Sequence, residues 1–186
     1  MLRSVDGIKK VIEAVETSCA RYLYDGLQSS RLPLLAGDVR PIDPSTIESV
    51  SALRKYLVSV KVPAHRNALS LLLNADHSLA VEQYRRKRYR DGSIIPANNR
   101  PCRYCPASTE SELHALFECS GLESLVQRRG DFYQRVVDVF GSERLVERCS
   151  SDPLITFHYF LDHDDMGPIL AKFVYDILAM FPLQLV

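Results

Sequence analysis

Apolar residues recur every three or four positions over residues 4–28, where Ile8, Val11, Ile12, Val15, Cys19, Tyr22 and Leu23 share one face. That spacing predicts an amphipathic helix. Pro33, Gly37, Pro41 and Pro44 break regular structure across 29–44. Ser45 or Thr46 is placed to cap a second helix, with Ile47, Val50, Leu53, Leu57 and Val58 toward the core. Pro63 closes that segment and opens a third, in which Ala68, Leu69, Leu72 and Leu73 are core candidates. Asn74 and Asp76 then signal a break and a new cap.

Residues 77–90 read as a helix whose apolar face (Leu79, Ala80, Tyr84) gives way to charge, followed by a turn at Asp91-Gly92. Residues 92–101 are irregular. Leu122–Phe140 (Leu125, Val126, Phe132, Val136, Val137, Phe140) and Pro168–Met180 carry two more helical patterns. Between them, LITFHYFL at 154–161 fits a strand or a buried helix, and periodicity does not choose. In the last pattern Ile169, Phe173, Ile177 and Met180 form one face, which Leu170, Val174 and Leu178 widen. A helix apolar on most sides is either deeply buried or paired with another chain. The pattern as a whole predicts a mainly α protein: a helical domain with a small embedded CCHC zinc module. Its expected parts are an N-terminal helical region (1–75), a basic helix plus zinc module (76–121) and a C-terminal helical region (122–186).

Composition changes this picture little. Hydrophobic residues make up 46% and charged residues 25% of 186 positions, and formal net charge is zero. Those values are ordinary for a globular protein, and bulk charge points to no partner. No run of 18 apolar residues suggests a membrane span. The start, MLRSVDGIKKVIEAV, lacks a signal-peptide apolar block. An intracellular setting, nucleus or cytoplasm, is therefore expected, with thiols reduced. The odd count of five cysteines argues against a disulfide framework.

Chemistry concentrates in one run. Cys102, Cys105, His114 and Cys119 form C-x2-C-x8-H-x4-C, holding three of the five cysteines within 18 residues. Zinc takes four soft or borderline ligands in a tetrahedron, and this run offers three thiols and an imidazole. Pro101 and Pro106 flank the first pair and each fixes one φ. Glu110, Glu112, Leu113, Leu116 and Phe117 suit a short helix with acids in its first turn, and the three apolar residues can form a mini-core. A five-residue step does not stack two side chains on an α-helical face, so Cys119 is expected at the fraying end, with Ser120-Gly121 as the stop. Four protein ligands leave no open position, which implies one structural Zn2+ and no catalysis. The competing readings are ordinary buried cysteines beside a surface histidine, or a Cys102–Cys105 disulfide.

Just before this run stand Arg85, Arg86, Lys87, Arg88 and Arg90, and Arg100 and Arg103 follow. These seven cations are opposed only by Asp91. Tyr84, Tyr89 and Tyr104 are interleaved and suited to stacking on bases. Arginine favours bidentate phosphate contacts. A solvated helix face is the plain alternative. Adjacency to a zinc module shifts the weight toward RNA or DNA, single-stranded or template-primer.

DHSLAVEQYRRKRYR (76–90) followed by PCRYCPASTESELHALFEC (101–119) resembles the region downstream of the polymerase in non-LTR retrotransposon reverse transcriptases, especially fungal ones. The matching residues are His77, Leu79, Ala80, Val81, Glu82, Arg85, Tyr89, Arg90, Cys102, Arg103, Cys105, Glu110, Glu112, His114, Leu116 and Cys119, and the likeness covers about 65–121. It implies a zinc-binding tail that helps hold template RNA or target DNA, as a C-terminal piece or a stand-alone remnant. It does not imply catalysis. The family's polymerase needs an aspartate pair ahead of the zinc run for two-metal chemistry. Here Asp162, Asp164 and Asp165 lie after it and read as an acidic loop capping the helix from Pro168. No polymerase fingers or palm fits in residues 1–75.

Other candidates are weaker. The residues after the zinc run carry Lys172 as their only lysine and are too few for a nuclease. His158 and His163 with Asp162 would be a second metal set only by coincidence of placement. Cys19 and Cys149 read as buried small apolar residues. His65 and His77 can reach phosphates, but nothing singles them out. The main rival to nucleic-acid binding is a helical interaction or homo-oligomerisation module, using the C-terminal helix, in which zinc only holds the fold.

Overall fold

A computed structural model describes residues 5–28, 32–36, 54–105, 108–142, 152–163 and 165–183. The chain divides at Arg54/Lys55 into two units. This differs from the three-part division expected above, because residues 55–75 pack with the C-terminal helices.

In the first unit, α1 (Val5–Gln28) runs through the predicted segment and is followed by the short α2 (Pro33–Ala36). Its apolar face is not buried: Ile8, Ile12 and Val15 are 50%, 51% and 61% exposed. Cys19 is exposed as well, so it is not the core residue expected from its type. Of the predicted second helix, residues 45–53 lie outside the described residues, as does Cys149.

The second unit begins with α3 (Lys55–Ser59) and α4 (Pro63–Leu73). Tyr56 and Val60 take the buried positions, whereas Val58 points to solvent. Pro63 starts α4 at its first turn, where a missing N–H costs nothing. Ala68, Leu69, Leu72 and Leu73 are buried as their spacing predicts. The chain then turns through Ala75, which holds φ at 52°.

Residues 77–90 do not form one helix. A short α5 (Ala80–Gln83) passes into a 3-10 turn (Tyr84–Arg86). The chain then folds back through Asp91-Gly92, bringing Arg88 against Ile94 in an isolated antiparallel bridge. Asp91 holds this turn by accepting from the Ser93 amide and hydroxyl, at 2.9 and 2.7 Å. Those bonds keep its carboxyl below the usual range.

Beyond the cysteine run come α6 (Glu123–Phe140), α7 (Pro153–Asp162) and α8 (Gly167–Met180). LITFHYFL is helical. Asp152 caps it by accepting from the Leu154 amide at 2.8 Å, and Pro153 occupies the first turn. At α8 the N-cap is Met166, and among the described residues no side-chain cap is seen; the Met166 and Gly167 amides donate to the His163 carbonyl, and Asp164 lies outside the described residues.

α8 is the centre of this unit, packed by α3, α4, α6, α7 and the segment that carries His114. This explains its wide apolar surface: Leu170, Phe173, Val174 and Ile177 are buried within one chain. Much of its apolar surface is thus covered by its own chain. Phe132 stacks on Phe173 at 4.3 Å and meets Phe160 edge-on at 5.0 Å. Each such ring contributes about 1.5–3 kcal/mol by burial, with about 0.5–1.5 more per favourable pair. No described helix is long and apolar enough to cross a membrane.

Candidate metal centre

Residues 100–102 lie alongside residues 108–110. Pro101 bridges Thr109, the Cys102 amide donates to the Ser108 carbonyl at 2.8 Å, and the Glu110 amide donates to Arg100 at 3.0 Å. The loop aims Cys102 and Cys105 at one point. Ser111 then caps a short helix, its hydroxyl accepting from the His114 amide at 3.3 Å.

That helix widens into a π turn over His114–Glu118, closed by the Cys119 amide donating to the His114 carbonyl at 2.7 Å. A bond five residues back is the defining feature of this geometry. Cys119 is the C-cap of this turn, at the helix end as expected, but a closed π bond rather than fraying sets its place. The wider turn makes His114 and Cys119 neighbours, which an α-helix would not.

The four ligand atoms lie within 4.8 Å of one another. Cys119 Sγ is 3.7 Å from both Cys102 Sγ and Cys105 Sγ, and Cys105 Sγ is 3.0 Å from His114 Nε2. A metal–sulfur bond of about 2.3 Å at tetrahedral angles separates sulfurs by about 3.8 Å, so both measured sulfur edges fit a shared ion. The group is therefore arranged to hold a metal ion. Among the described residues it is the set with this property; His158 and His163 do not join one. Cys102, His114 and Cys119 are buried and Cys105 is half-buried. Burial pushes the Cys105 thiol up and the Cys119 thiol to about 12. A bound cation reverses that preference by stabilising thiolate.

Neighbouring groups hold the ligands. The Gly121 amide bonds the Cys119 sulfur. Glu118 Oε2 lies 3.5 Å from His114 Nδ1, the ring nitrogen turned away from the sulfurs. Arg129, from α6, donates to the Leu116 and Cys119 carbonyls at 2.9 Å each, which satisfies acceptors at the end of the π turn. Burial lowers its pKa. Leu116 and Ala115 are fully buried, and Phe117 meets Phe173 of α8 at 6.1 Å. The expected mini-core is thus continuous with the main core.

Gly121 does more than stop a helix. A Cβ there would lie 2.1 Å from the Tyr104 carbonyl oxygen and 2.8 Å from the Cys105 amide nitrogen. Only glycine lets the segment after Cys119 lie against the Cys102–Cys105 loop. We expect Gly121→Ala to separate the two ligand pairs and weaken metal retention at least tenfold. Competition with a chromophoric chelator measures this, and wild-type retention would refute it.

Glu110 is the unforeseen centre of the region. It is fully buried and caps α5 twice: Oε1 accepts from the Ala80 amide at 2.7 Å, and its carbonyl accepts from Val81 at 3.1 Å. Its carboxylate also pairs with the Arg103 guanidinium at 2.8 and 3.0 Å and with the Arg103 amide at 2.9 Å. Glu110 therefore serves a helix thirty residues earlier rather than its own first turn. Glu112 does not stand free either; Oε1 is 3.1 Å from His77 Nε2, whose side chain is fully buried.

The cations expected at a nucleic acid fall into two groups. Arg100 is buried and donates to the Ile95 and Val81 carbonyls. Arg103 donates to Glu110, to Ser78 and, at 2.7 Å, to the Pro182 carbonyl beyond α8. Tyr104 donates to the Met180 carbonyl and sits edge-on to Phe181. These three are occupied inside the fold. They staple the metal loop to the end of α8, as does Ser78 with Phe181. Arg88, Arg90 and Tyr89 are exposed on the Arg88–Ile94 turn. Arg85 pairs with Glu82 at 2.6 Å but stays part-exposed, and Lys87 lies over the Tyr84 ring at 4.6 Å. The Arg86 side chain is outside the described set. Of the cations singled out in the sequence, those left at the surface among the described side chains are therefore on residues 85–90.

No family model, curated protein or solved structure matches the chain.

Proposed function

We propose that residues 76–121 form a zinc-stabilised module that binds single-stranded RNA or DNA, of the kind found downstream of the polymerase in non-LTR retrotransposon reverse transcriptases. The observation that carries this reading is the exposed cationic turn, with Arg88, Tyr89 and Arg90 presented beside a closed Cys3His cluster. Zinc suits that donor set, and with four protein ligands it holds the fold and leaves no position for substrate. Arg85, Arg86 and Lys87 extend the charge, and Tyr89 offers a ring for stacking. In this reading the chain contributes grip and no polymerase chemistry.

The bonds from Ser78, Arg103 and Tyr104 to residues 180–182 mean that the module is tested in the whole chain, not as a peptide. With three to five phosphates engaged, log K should fall against log salt with a slope of about −2 to −4. The double variant Arg88→Ala, Arg90→Ala should reduce that slope by about 1–2 without loss of metal. Fluorescence anisotropy with labelled single-stranded oligonucleotides across a salt series measures both. A flat salt response in the parent would sink the reading.

A further inference from the structure

The α1 stripe carries a continuous three-four spacing. Val5, Ile8, Ile12, Val15, Cys19 and Tyr22 alternate three- and four-residue steps without a break, and Val11 and Leu23 widen the stripe at its flanks. The repeat makes a heptad seam, with Val5, Ile12 and Cys19 at a positions and Ile8, Val15 and Tyr22 at d. The seam is bare along its length, from Val5 at 71% to Tyr22 at 78% exposed. Among the described side chains of α1, those withdrawn from solvent are Gly7, Ala20 and Tyr24. At 3.6 residues per turn, all three lie at least about 110° round the helix from the centre of the seam. Among the described residues, burial on α1 thus falls away from the seam.

We propose that α1 pairs with α1 of a second copy of this chain as an antiparallel two-stranded coiled coil. The flanking charges select the partner and the direction. Lys9 and Glu16 occupy successive e positions. In an antiparallel homodimer, e positions face e positions, so Lys9 of each copy meets Glu16 of the other, twice by symmetry. A parallel pair would set Glu16 against Val11 and gain no ion pair. The antiparallel register also layers Ile12 on Val15, Ile8 on Cys19 and Val5 on Tyr22 of the other copy. Every large seam residue then has an apolar or aromatic opposite.

Sedimentation equilibrium of the full chain tests this, with metal content and far-ultraviolet circular dichroism as checks that the remainder is folded. The parent should dimerise. Ile12→Glu should weaken the dimer at least about tenfold with metal content unchanged. Lys9→Glu should weaken it, and Lys9→Glu combined with Glu16→Lys should restore it. A parent that remains monomeric overturns the proposal, as does an Ile12→Glu chain that dimerises like the parent. A charge exchange that restores nothing overturns the antiparallel pairing. Cysteine geometry gives an independent readout. Cys19 should not cross-link to Cys19 of the other copy under mild oxidation, but Ile8→Cys should allow a link between positions 8 and 19. Ready cross-linking at Cys19 in the parent would show the parallel arrangement instead.

Discussion

Cys102→Ser should abolish metal binding and melt residues 100–121. The hydroxyl is a poor substitute for a buried thiolate, and the remaining three ligands belong to segments with little else to hold them together. The loop 100–110 has a few main-chain bonds and one isolated bridge, and the π turn is a geometry that is rare without a local reason. Structural zinc contributes about 10–16 kcal/mol in small modules, whereas a whole domain is stable by only about 5–15 kcal/mol. The loss should spread, because Arg103 and Tyr104 tie this loop to residues 180–182 at the end of the central helix. We expect one zinc per chain in the parent by mass spectrometry, none in the variant, and a melting curve that is broader and much lower. Chelator treatment of the parent should reproduce the curve. A variant that keeps its metal and its melting temperature would refute both the ligand assignment and the structural role.

Glu110→Ala should be the most damaging single change outside the ligands. It removes the charged partner of Arg103, whose side chain is 12% exposed, and leaves that nearly buried cation only the Ser78 and Pro182 carbonyls. Removing one member of a buried pair costs about 3–5 kcal/mol. The Ala80 amide loses its acceptor as well, at about 1–3 kcal/mol for a buried donor. Together these should lower Tm by roughly 10–20 °C for a unit of this size. Glu110→Gln keeps acceptor capacity and loses charge, so it should fall between parent and alanine variant. Thermal melts of the metal-loaded proteins measure the series. Equal stability of all three would show that the pair contributes nothing.

The metal ligands were legible because their placement depends on short reach. Cys-x2-Cys needs only one tight loop to converge, and the spacing announces it. Periodicity alone left LITFHYFL open; the signal that would have chosen helix was Asp152-Pro153, a cap followed by a first-turn proline, which the periodicity reading did not use. The His114–Cys119 step was read as a fraying end because α-helical geometry was assumed; a π turn makes five residues one turn. Glu110 carried no local signal, since its acceptors serve α5 and Arg103. Seven cations in a row of sequence looked equivalent, but Arg100 and Arg103 fold inward while Arg88 and Arg90 remain outside.

By itself, the sequence determined the helical class, the Cys3His set that can converge on a metal ion and the three-four spacing of α1, because each follows from local periodicity or the span of a short loop. Only the tertiary structure decided which apolar faces are covered. Two helices carry comparable apolar stripes, but α8 is enclosed by four neighbouring helices and the His114 segment, whereas the α1 seam is left open. Burial depends on what the rest of the chain brings alongside, and no stripe encodes its own neighbours.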